Sequence, residues 1–387
     1  KCFNFRFNRC GNFNFFKENG MLITALFSLY FIFILSSIFG FVKKNDPRDK
    51  DFLEVNKSAF LTLIVPYRNE EKRIQELLSS LEKQNDISCI SKIIFIDDHS
   101  SDSSKEIIDN WLFKQAYPSK SLSLDEFLGK KRAIDLGLKY TYSDYVMVMD
   151  ADISFNKSFL KNLSLNLNLD YDLYLTCVIE KNGIVWSKII SYSLSVISLG
   201  MAKLGFPILA NGAGLIFKKE TYIKLNPFES NFTISSGDDM YLLKIFNENN
   251  KLIKPLYNHD LIIKTQGPNN ILEMINRSLR WSGKMRNSGL LLVKIFGFLI
   301  LLCNILIIPL SLNFLIDYQW YYLIPILLKL SADILVLIVG SAFYKDYFVI
   351  KYSLPMFFLY PFLLLAILFL QVINFKIKWK GRDVLIN

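Results

Sequence analysis

Asp150 and Asp152 follow an apolar run, Tyr145 to Met149, that reads as a buried strand delivering carboxylates where no core would tolerate them. Side chains two apart in extended chain point the same way, so both carboxylates can face one hard cation. A nucleotide diphosphate held through Mg2+ or Mn2+ would use such a pair, and an ordinary loop or helix N-cap would show the same residues. Asp97 and Asp98 end a second apolar run, KIIFI; there a carboxylate accepts from a base N–H or a ribose hydroxyl, or caps the helix that follows. Asp238 and Asp239 open a helix expected to reach Asn247, where acidic residues also suit the positive end of the helix dipole. Arg277, Arg280 and Lys284, with the Trp281 ring, recur at near-helical spacing before an apolar run, as in a basic interfacial helix with an aromatic anchor. Around Asn211, Gly212 and Gly214 the strand is poor in side chains, which marks either close approach of a ligand or backbone, or a β-bulge. The 2 histidines, His99 and His259, are too far apart in sequence to suggest a zinc site.

The elements that must position these groups alternate. Phe60 to Pro66 is a continuously apolar strand, followed by the turn YRNEE and a helix from Glu71 to Lys83. Ile93 to Ile96 is the next strand; a weaker one near Leu122 precedes a helix from Gly129 to Tyr140, and the strand ending at Met149 comes fourth. This alternation predicts an α/β domain with a mostly parallel, Rossmann-like sheet. Its acidic strand ends share one edge, where ligands of such sheets bind. No GxGxxG is present, which removes a nicotinamide reading. Asp170 to Ile179 reads as a later strand, and the charge-free centre of the next stretch, Ile189 to Ala202, is too short to span and suits an interfacial, acceptor-lining or buried core helix.

Composition sets the surroundings. With 387 residues, 52% hydrophobic and 15% aromatic, the chain is too apolar for an ordinary soluble protein and too charged for an all-membrane one. Apolar stretches long enough to cross a bilayer run from Leu22 to Phe41, Leu290 to Leu312, Tyr322 to Gly340 and Leu354 to Ile373. The 5 cysteines show no CxxC or metal spacing, which fits a reducing compartment. The net charge of +10 sits beside apolar runs, so anionic headgroups rather than nucleic acid are its partner. Lys43, Lys44, Arg48 and Lys50 after the first run, and Lys284 and Arg286 before the second, place the intervening domain in the cytoplasm. Lys1, Arg6, Arg9 and Lys17 oppose that assignment, and with Met21 just before the run, residues 1–20 read as an upstream extension. The basic tail Lys376, Lys378, Lys380 and Arg382 also asks for the inside, which three later spans would deny it. Tyr322 to Gly340, with Lys329 and Asp333 at i, i+4, is therefore the segment read as interfacial unless that pair faces protein. The expected division is a 1–20 extension, a 21–42 transmembrane helix, a 43–289 cytoplasmic domain, a 290–373 membrane region of two to three spans, and a 374–387 basic tail.

The blocks VPYRNE, FIDDHSSD, GKKRAIDLG, MDAD, SGDDMYLL and RSLRW, in that order, resemble the membrane-bound family 2 glycosyltransferases with the GT-A fold, the group that includes cellulose and hyaluronan synthases. The resemblance covers residues 60–286 and, more loosely, the flanking spans. It implies nucleotide contacts from Pro66, Tyr67, Arg68 and Glu70, uracil contact from Asp98, a lysine near the nucleotide in Lys130, and diphosphate and divalent metal at Asp150 and Asp152. It implies further that Asn211, Gly212, Gly214 and Arg277 lie on the acceptor side. Asp238 and Asp239 match the family's ED or TED motif, whose last aspartate is the general base. Arg280 and Trp281 match the QxxRW motif that closes over diphosphate and acceptor; Arg277 stands where glutamine is usual, so processive synthesis is not implied.

The resulting expectation is an inverting, metal-dependent transfer of a hexose from a nucleotide-sugar, a UDP-sugar first, to a membrane-associated acceptor in cell-envelope polysaccharide or glycolipid synthesis at a bacterial inner membrane. Single transfer to a polyprenyl phosphate or ceramide-like lipid is the alternative; a non-catalytic membrane scaffold or a transporter is the alternative from another class. With so few spans, a translocating pore would require partner subunits or a homo-oligomer.

Overall fold

A computed structural model of the chain describes residues 19–43, 60–115, 117–125, 128–229, 237–287, 289–373 and 375, and the backbone of 377–379 and 382–384. Lys1, Arg6, Arg9, Lys17, Lys44, Arg48, Lys50, Lys376 and Lys380, read above as flanking charge, lie outside the described residues, as does the Arg286 side chain.

Strands β1 (Leu61–Tyr67), β2 (Ile90–Asp97), β3 (Ser119–Ser123) and β4 (Tyr145–Met149) lie side by side in the order β3-β2-β1-β4, all parallel. The continuous apolar runs of β1, β2 and β4 are explained by burial on both faces. Ile64, Ile94, Ile96, Val146 and Val148 point into one core, while Leu61, Leu63, Val65, Phe95, Met147 and Met149 point into the other. Because the order reverses between β1 and β4, their carboxyl ends flank a crevice at a topological switch point, the usual ligand site of an open α/β sheet.

Beyond β4 the expected parallel winding gives way to a mixed sheet. Strands β5 (Ile153–Ser154), β6 (Leu173–Glu180), β7 (Gly214–Lys218), β8 (Ile253–Leu256) and β9 (Ile262–Thr265) complete it. β7 runs antiparallel between β4 and β6, β8 and β9 pair parallel with β6, and β5 closes antiparallel on β9. The antiparallel insertion has a consequence for the crevice. Met149 at the end of β4 pairs with Gly214 at the start of β7, and the Asp150 N–H donates to the Ala213 carbonyl at 3.3 Å. The glycine-rich turn is thereby laid against the acidic strand end.

The helices, in chain order, are α1 (Gly20–Val42), α2 (Ile74–Glu82), α3 (Ser104–Lys114), α4 (Lys130–Lys139), α5 (Phe159–Asn166), α6 (Val185–Lys203), α7 (Lys219–Leu225), α8 (Asp238–Glu248), α9 (Ile271–Asn287), α10 (Leu291–Asp317), α11 (Trp320–Tyr344) and α12 (Ser353–Val372). By length and composition, five helical segments of the described residues suffice to cross a membrane: Gly20–Val42, Val185–Lys203, Leu291–Ile316, Trp320–Tyr344 and Tyr347–Val372.

α6 is longer than the sequence reading allowed, because Val185, Trp186 and the residues up to Lys203 continue the helix past its charge-free centre. Much of it is covered by protein, with 67% of its apolar window buried. It crosses α1 at two glycines: a Cβ on Gly200 would fall 1.9 Å from the Ser37 carbonyl oxygen, and one on Gly40 would fall 2.2 Å from that of Gly200. Only glycine permits backbones this close. Phe27 of α1, Tyr192 and Val196 of α6, Ile307 of α10 and Tyr322 of α11 share one core with the Ile64 face of the sheet.

The Lys329–Asp333 pair faces protein. Lys329 Nζ lies 2.6 Å from Asp333 Oδ2 and 4.7 Å from the Phe357 ring centre, and the Tyr30 hydroxyl donates to Asp333 Oδ1 at 2.6 Å. Its charge is thus matched inside the helix bundle and supplies no reason to hold α11 at an interface.

Candidate active site

At the end of β1 the chain turns through Asn69, whose φ of 51° is left-handed and whose Oδ1 accepts from the Ser101 N–H at 2.8 Å. This turn ties the β1 end to the loop after β2. Arg68 donates from Nη1 to the Asp98 carbonyl at 2.8 Å, and the Glu70 N–H donates to Ser104 Oγ at 2.6 Å. Asp97 takes the capping role, accepting from the Ser100 N–H at 2.9 Å. Asp98 Oδ1 accepts from the Gly129 N–H at 3.0 Å, where φ is 104°, and so fixes the entry to α4. Pro66, Tyr67, Arg68, Glu70 and Asp98 therefore cluster where β1 and β2 end, with Tyr67 and Glu70 buried and Pro66 partly open.

A second cluster is built around Lys130, the first residue of α4. Its Nζ reaches Asp150 Oδ1 at 2.7 Å, the Gly212 carbonyl at 2.7 Å and Asp238 Oδ2 at 3.2 Å. Burial disfavours its charge, yet Asp150, Asp238 and Asp239 together hold it well above the ordinary lysine range. The mirror effect acts on Asp238: burial pushes its carboxyl up, but Lys130 and Lys284 overcome this and hold it below the usual carboxylate range.

Asp239 lies in the first turn of α8, 5% exposed. Its Oδ2 accepts from the Gly212 N–H at 3.1 Å and from Lys284 Nζ at 3.1 Å, and its Oδ1 accepts from the Met240 N–H at 2.9 Å. Gly212 thus bonds both clusters, through its carbonyl to Lys130 and through its N–H to Asp239. A Cβ there would sit 3.2 Å from Lys130 Nζ and 3.3 Å from an oxygen of each aspartate, which accounts for glycine. Asn211 shapes the turn, accepting from the Ala213 N–H at 3.1 Å. Gly214 is different: a side chain there would collide with Ile263 Cδ1 at 2.2 Å, so strand packing rather than a ligand explains it, and β7 pairs with β4 there without a bulge.

α9 covers the crevice. Burial pushes the Arg280 guanidinium down to about 10, against the opposing pull of Asp150 and Asp152, whose charges it faces. Arg277 is turned elsewhere, at 2.8 Å from Glu180 Oε1 and donating to the Gln266 carbonyl at 3.1 Å, with its guanidinium 5.0 Å from the Trp281 ring centre. It pins α9 to the end of β6. Burial raises the Glu180 carboxyl, with Arg277 pulling the other way.

Asp150 and Asp152 suit a hard divalent cation. Their side chains are 41% and 21% exposed, against 8% and 7% for Asp238 and Asp239. Among the described residues no group of three or more His, Cys, Asp or Glu is arranged to hold a metal by itself. Two carboxylates with the remaining positions left to phosphate and water is how Mg2+ is ordinarily held at nucleotide sites. Arg73 Nη1 lies 3.4 Å from Asp152 Oδ2.

Sequence reasoning missed Arg73, Lys131, Glu180 and the role of Lys284. Lys284 carried a signal, since it shares the helical spacing of Arg277 and Arg280. Lys131 is buried, its Nζ 4.5 Å from the Tyr241 ring centre, and burial lowers its ammonium to about 8 despite Asp238 and Asp239. Neither it nor Glu180 shows any pattern along the chain.

Residues 62–213 match the family description Glycosyl transferase family 2. The chain is 33% identical over 132 residues to a 4,4'-diaponeurosporenoate glycosyltransferase of Staphylococcus haemolyticus (strain JCSC1435), covering 34% of this chain and 32% of that one. It is 32% identical over 144 residues to a poly-beta-1,6-N-acetyl-D-glucosamine synthase of Staphylococcus epidermidis (strain ATCC 35984), covering 35% of this chain and 32% of the relative. The match therefore spans about a third of the length of these curated relatives. A mannosyltransferase from Pyrobaculum calidifontis, solved with GDP-Man and Mn2+, superposes with a TM-score of 0.50 over 90% of this chain and 99% of its own, at 15% identity. That likeness concerns the fold, which is the expected GT-A arrangement of a curled mixed sheet flanked by helices. The switch-point crevice and the acidic end of β4 lie within the segment 62–213, and it is this segment that is similar to the glycosyl transferase family 2 domain.

Proposed function

We propose that the protein is an inverting glycosyltransferase that moves a hexose from a nucleotide-sugar, a UDP-sugar first, to a membrane-associated acceptor. The observation that supports this best is the Gly212 turn, whose carbonyl meets Lys130 and whose N–H meets Asp239, so that a diphosphate-side cluster and a buried carboxylate adjoin.

In this reading the base and ribose lie against Tyr67, Arg68 and Asp98, and the diphosphate lies near Asp150, Asp152 and Arg280. A Mg2+ or Mn2+ ion held by Asp150 and Asp152 would supply Lewis-acid stabilisation of the departing diphosphate. Arg280 faces the same carboxylates and adds a fixed cation where charge develops. Asp239 accepts the proton of the acceptor hydroxyl as its oxygen attacks the anomeric carbon; the bond to the diphosphate breaks and its electron pair leaves with the nucleotide. One displacement inverts the centre without a covalent intermediate. Lys130 bridges Asp150 and Asp238, at 2.7 Å from one and 3.2 Å from the other.

A membrane-borne acceptor is supported by the placement of α9. Lys284, in contact with Asp239, stands only a few residues before Leu291, where the apolar α10 begins. An acceptor anchored in the bilayer would meet the base there, and either a growing polysaccharide or a lipid-linked sugar fits this description.

The test is nucleotide release from a panel of UDP-sugars by the detergent-solubilised protein with membrane lipids and Mg2+ or Mn2+. Turnover with one donor, lost on adding EDTA and in Asp239→Asn, is the expected result. No turnover with any UDP-sugar would send the donor assignment to GDP-sugars, and failure there as well would end the transferase reading.

A further inference from the structure

The lone pairs of Asp239 are already taken. Its Oδ2 receives the Gly212 N–H at 3.1 Å and Lys284 Nζ at 3.1 Å; its Oδ1 receives the Met240 N–H at 2.9 Å and Lys284 Nζ again at 3.4 Å. A carboxylate oxygen offers about two acceptor positions. An acceptor hydroxyl that is to surrender its proton must come within hydrogen-bond reach of one of them. Gly212 and Met240 donate from backbone, in the turn that enters β7 and in the first turn of α8, and have no side-chain freedom by which to withdraw. Lys284 donates from the end of a four-carbon stem, and its side chain is 22% exposed, so it is the partner able to move.

We propose that Lys284 is a specificity-determining residue that makes the site choose the acceptor over water. The inference rests on the glycosyl-transfer reading above. With donor bound and no acceptor present, the ammonium holds the position facing Asp239, and water is kept from the base. Hydrolysis would need the same proton step as transfer: a water O–H gives its proton to Asp239, the water oxygen bonds to the anomeric carbon, and the bond to the diphosphate breaks with its electron pair leaving on the nucleotide. To occupy that position water must separate a buried ion pair and has no further contacts to offset the loss. The acceptor brings its own contacts along the crevice and offsets it, as binding energy of the right substrate does when it assembles a site. The displaced ammonium remains near Asp238, whose carboxyl it already holds down.

The experiment uses the full chain in detergent, the labelled UDP-sugar that turns over in the donor panel, and Mg2+ or Mn2+. Free sugar released without acceptor and product formed with saturating acceptor are measured for wild type, Lys284→Met, Lys284→Gln and Lys284→Arg. The expected result is a hydrolysis-to-transfer ratio raised about tenfold or more in the Met and Gln variants and near wild type in the Arg variant. UDP binding by each variant identifies any that has lost its fold, and the remaining one decides. Hydrolysis that stays at or below the wild-type level in a UDP-binding Met or Gln variant would overturn the proposal, as would an Arg variant that hydrolyses as they do. If wild type itself transfers nothing from any donor, the functional reading fails; if it transfers normally while the ratio ignores Lys284, this inference alone fails.

Discussion

Lys130 and Lys329 each hold a carboxylate at close range, 2.7 Å to Asp150 in one case and 2.6 Å to Asp333 in the other, in very different company. Lys329 is 1% exposed, its partner stands four residues on along the same helix, and the remaining contacts come from Tyr30 and Phe357. Lys130 reaches Asp150 at the end of β4, Gly212 in the turn before β7 and Asp238 at the start of α8. The first pair is complete within the helix bundle. The second joins segments distant in the chain, and one of its carboxylates, Asp150, is 41% exposed at the crevice. Two salt bridges of similar length thus serve different ends: a closed local pair fixes packing, and an open, dispersed one joins distant segments.

The contrast is sharpened most by substitution at the base beside the dispersed cluster. Asp239→Asn is expected to lower transfer by about 10²–10⁴ with UDP binding retained, because the proposed general base is lost and the shape kept. Equal loss of binding would mean that Asp239 belongs to the nucleotide site. Next, Lys130→Met should reduce kcat/KM by about 10²–10³, the range for removing one preorganised charge partner, with little change in melting temperature. A variant that unfolds while its residual folded fraction stays fully active would erase the distinction drawn between the two lysines.

Lys329→Met should do the reverse. Leaving Asp333 and the Tyr30 hydroxyl without their cation costs about 3–5 kcal/mol, while Lys329→Met with Asp333→Leu recovers most of that. Unfolding in detergent reads the loss, and activity per folded molecule should stay near wild type. If transfer disappears while stability holds, the bundle pair is functional after all.

The smallest effect concerns Lys131, which neighbours Lys130 and has its folded-state value lowered to about 8, mainly by burial. An unfolded lysine titrates near about 10.4, so between pH 8 and there the unfolded chain binds the extra proton and stability rises with pH. Below about pH 8 both states carry the proton and the penalty of charging it in place is constant. The melting temperature of wild type should therefore climb across that window more steeply than that of Lys131→Met. Equal slopes would show that Lys131 is solvated in the native protein.

The open cluster was legible in pieces. Asp150 and Asp152 stand out because two acids one residue apart close an apolar strand, and Lys329 with Asp333 because the i, i+4 period is local. Asp98 was legible as a crevice residue, though the Gly129 N–H it receives could not be read. Gly212 and Gly214 looked alike in the sequence, yet one bonds the site and the other accommodates Ile263, because Gly212 lies in the turn before β7 while Gly214 is already paired in the strand. Arg277 was read on the acceptor side from a family pattern; its pairing with Glu180 could not be read, because that depends on how β6 sits against α9.

What the amino-acid order determined by itself were the features that repeat over a few residues: the doubly apolar strands β1, β2 and β4, the acids at their ends, the long apolar helices and the charged pair inside one of them. Hydrophobic periodicity and chain direction suffice for these, since each is decided within one element. The tertiary structure alone decided the antiparallel placement of β7, the seating of α6 on α1 through Gly200 and Gly40, and the capture of Asp239 by Gly212 and Lys284. Those depend on which distant segments meet and in what register, and a one-residue shift of register would have turned every side chain of the strand to the other face.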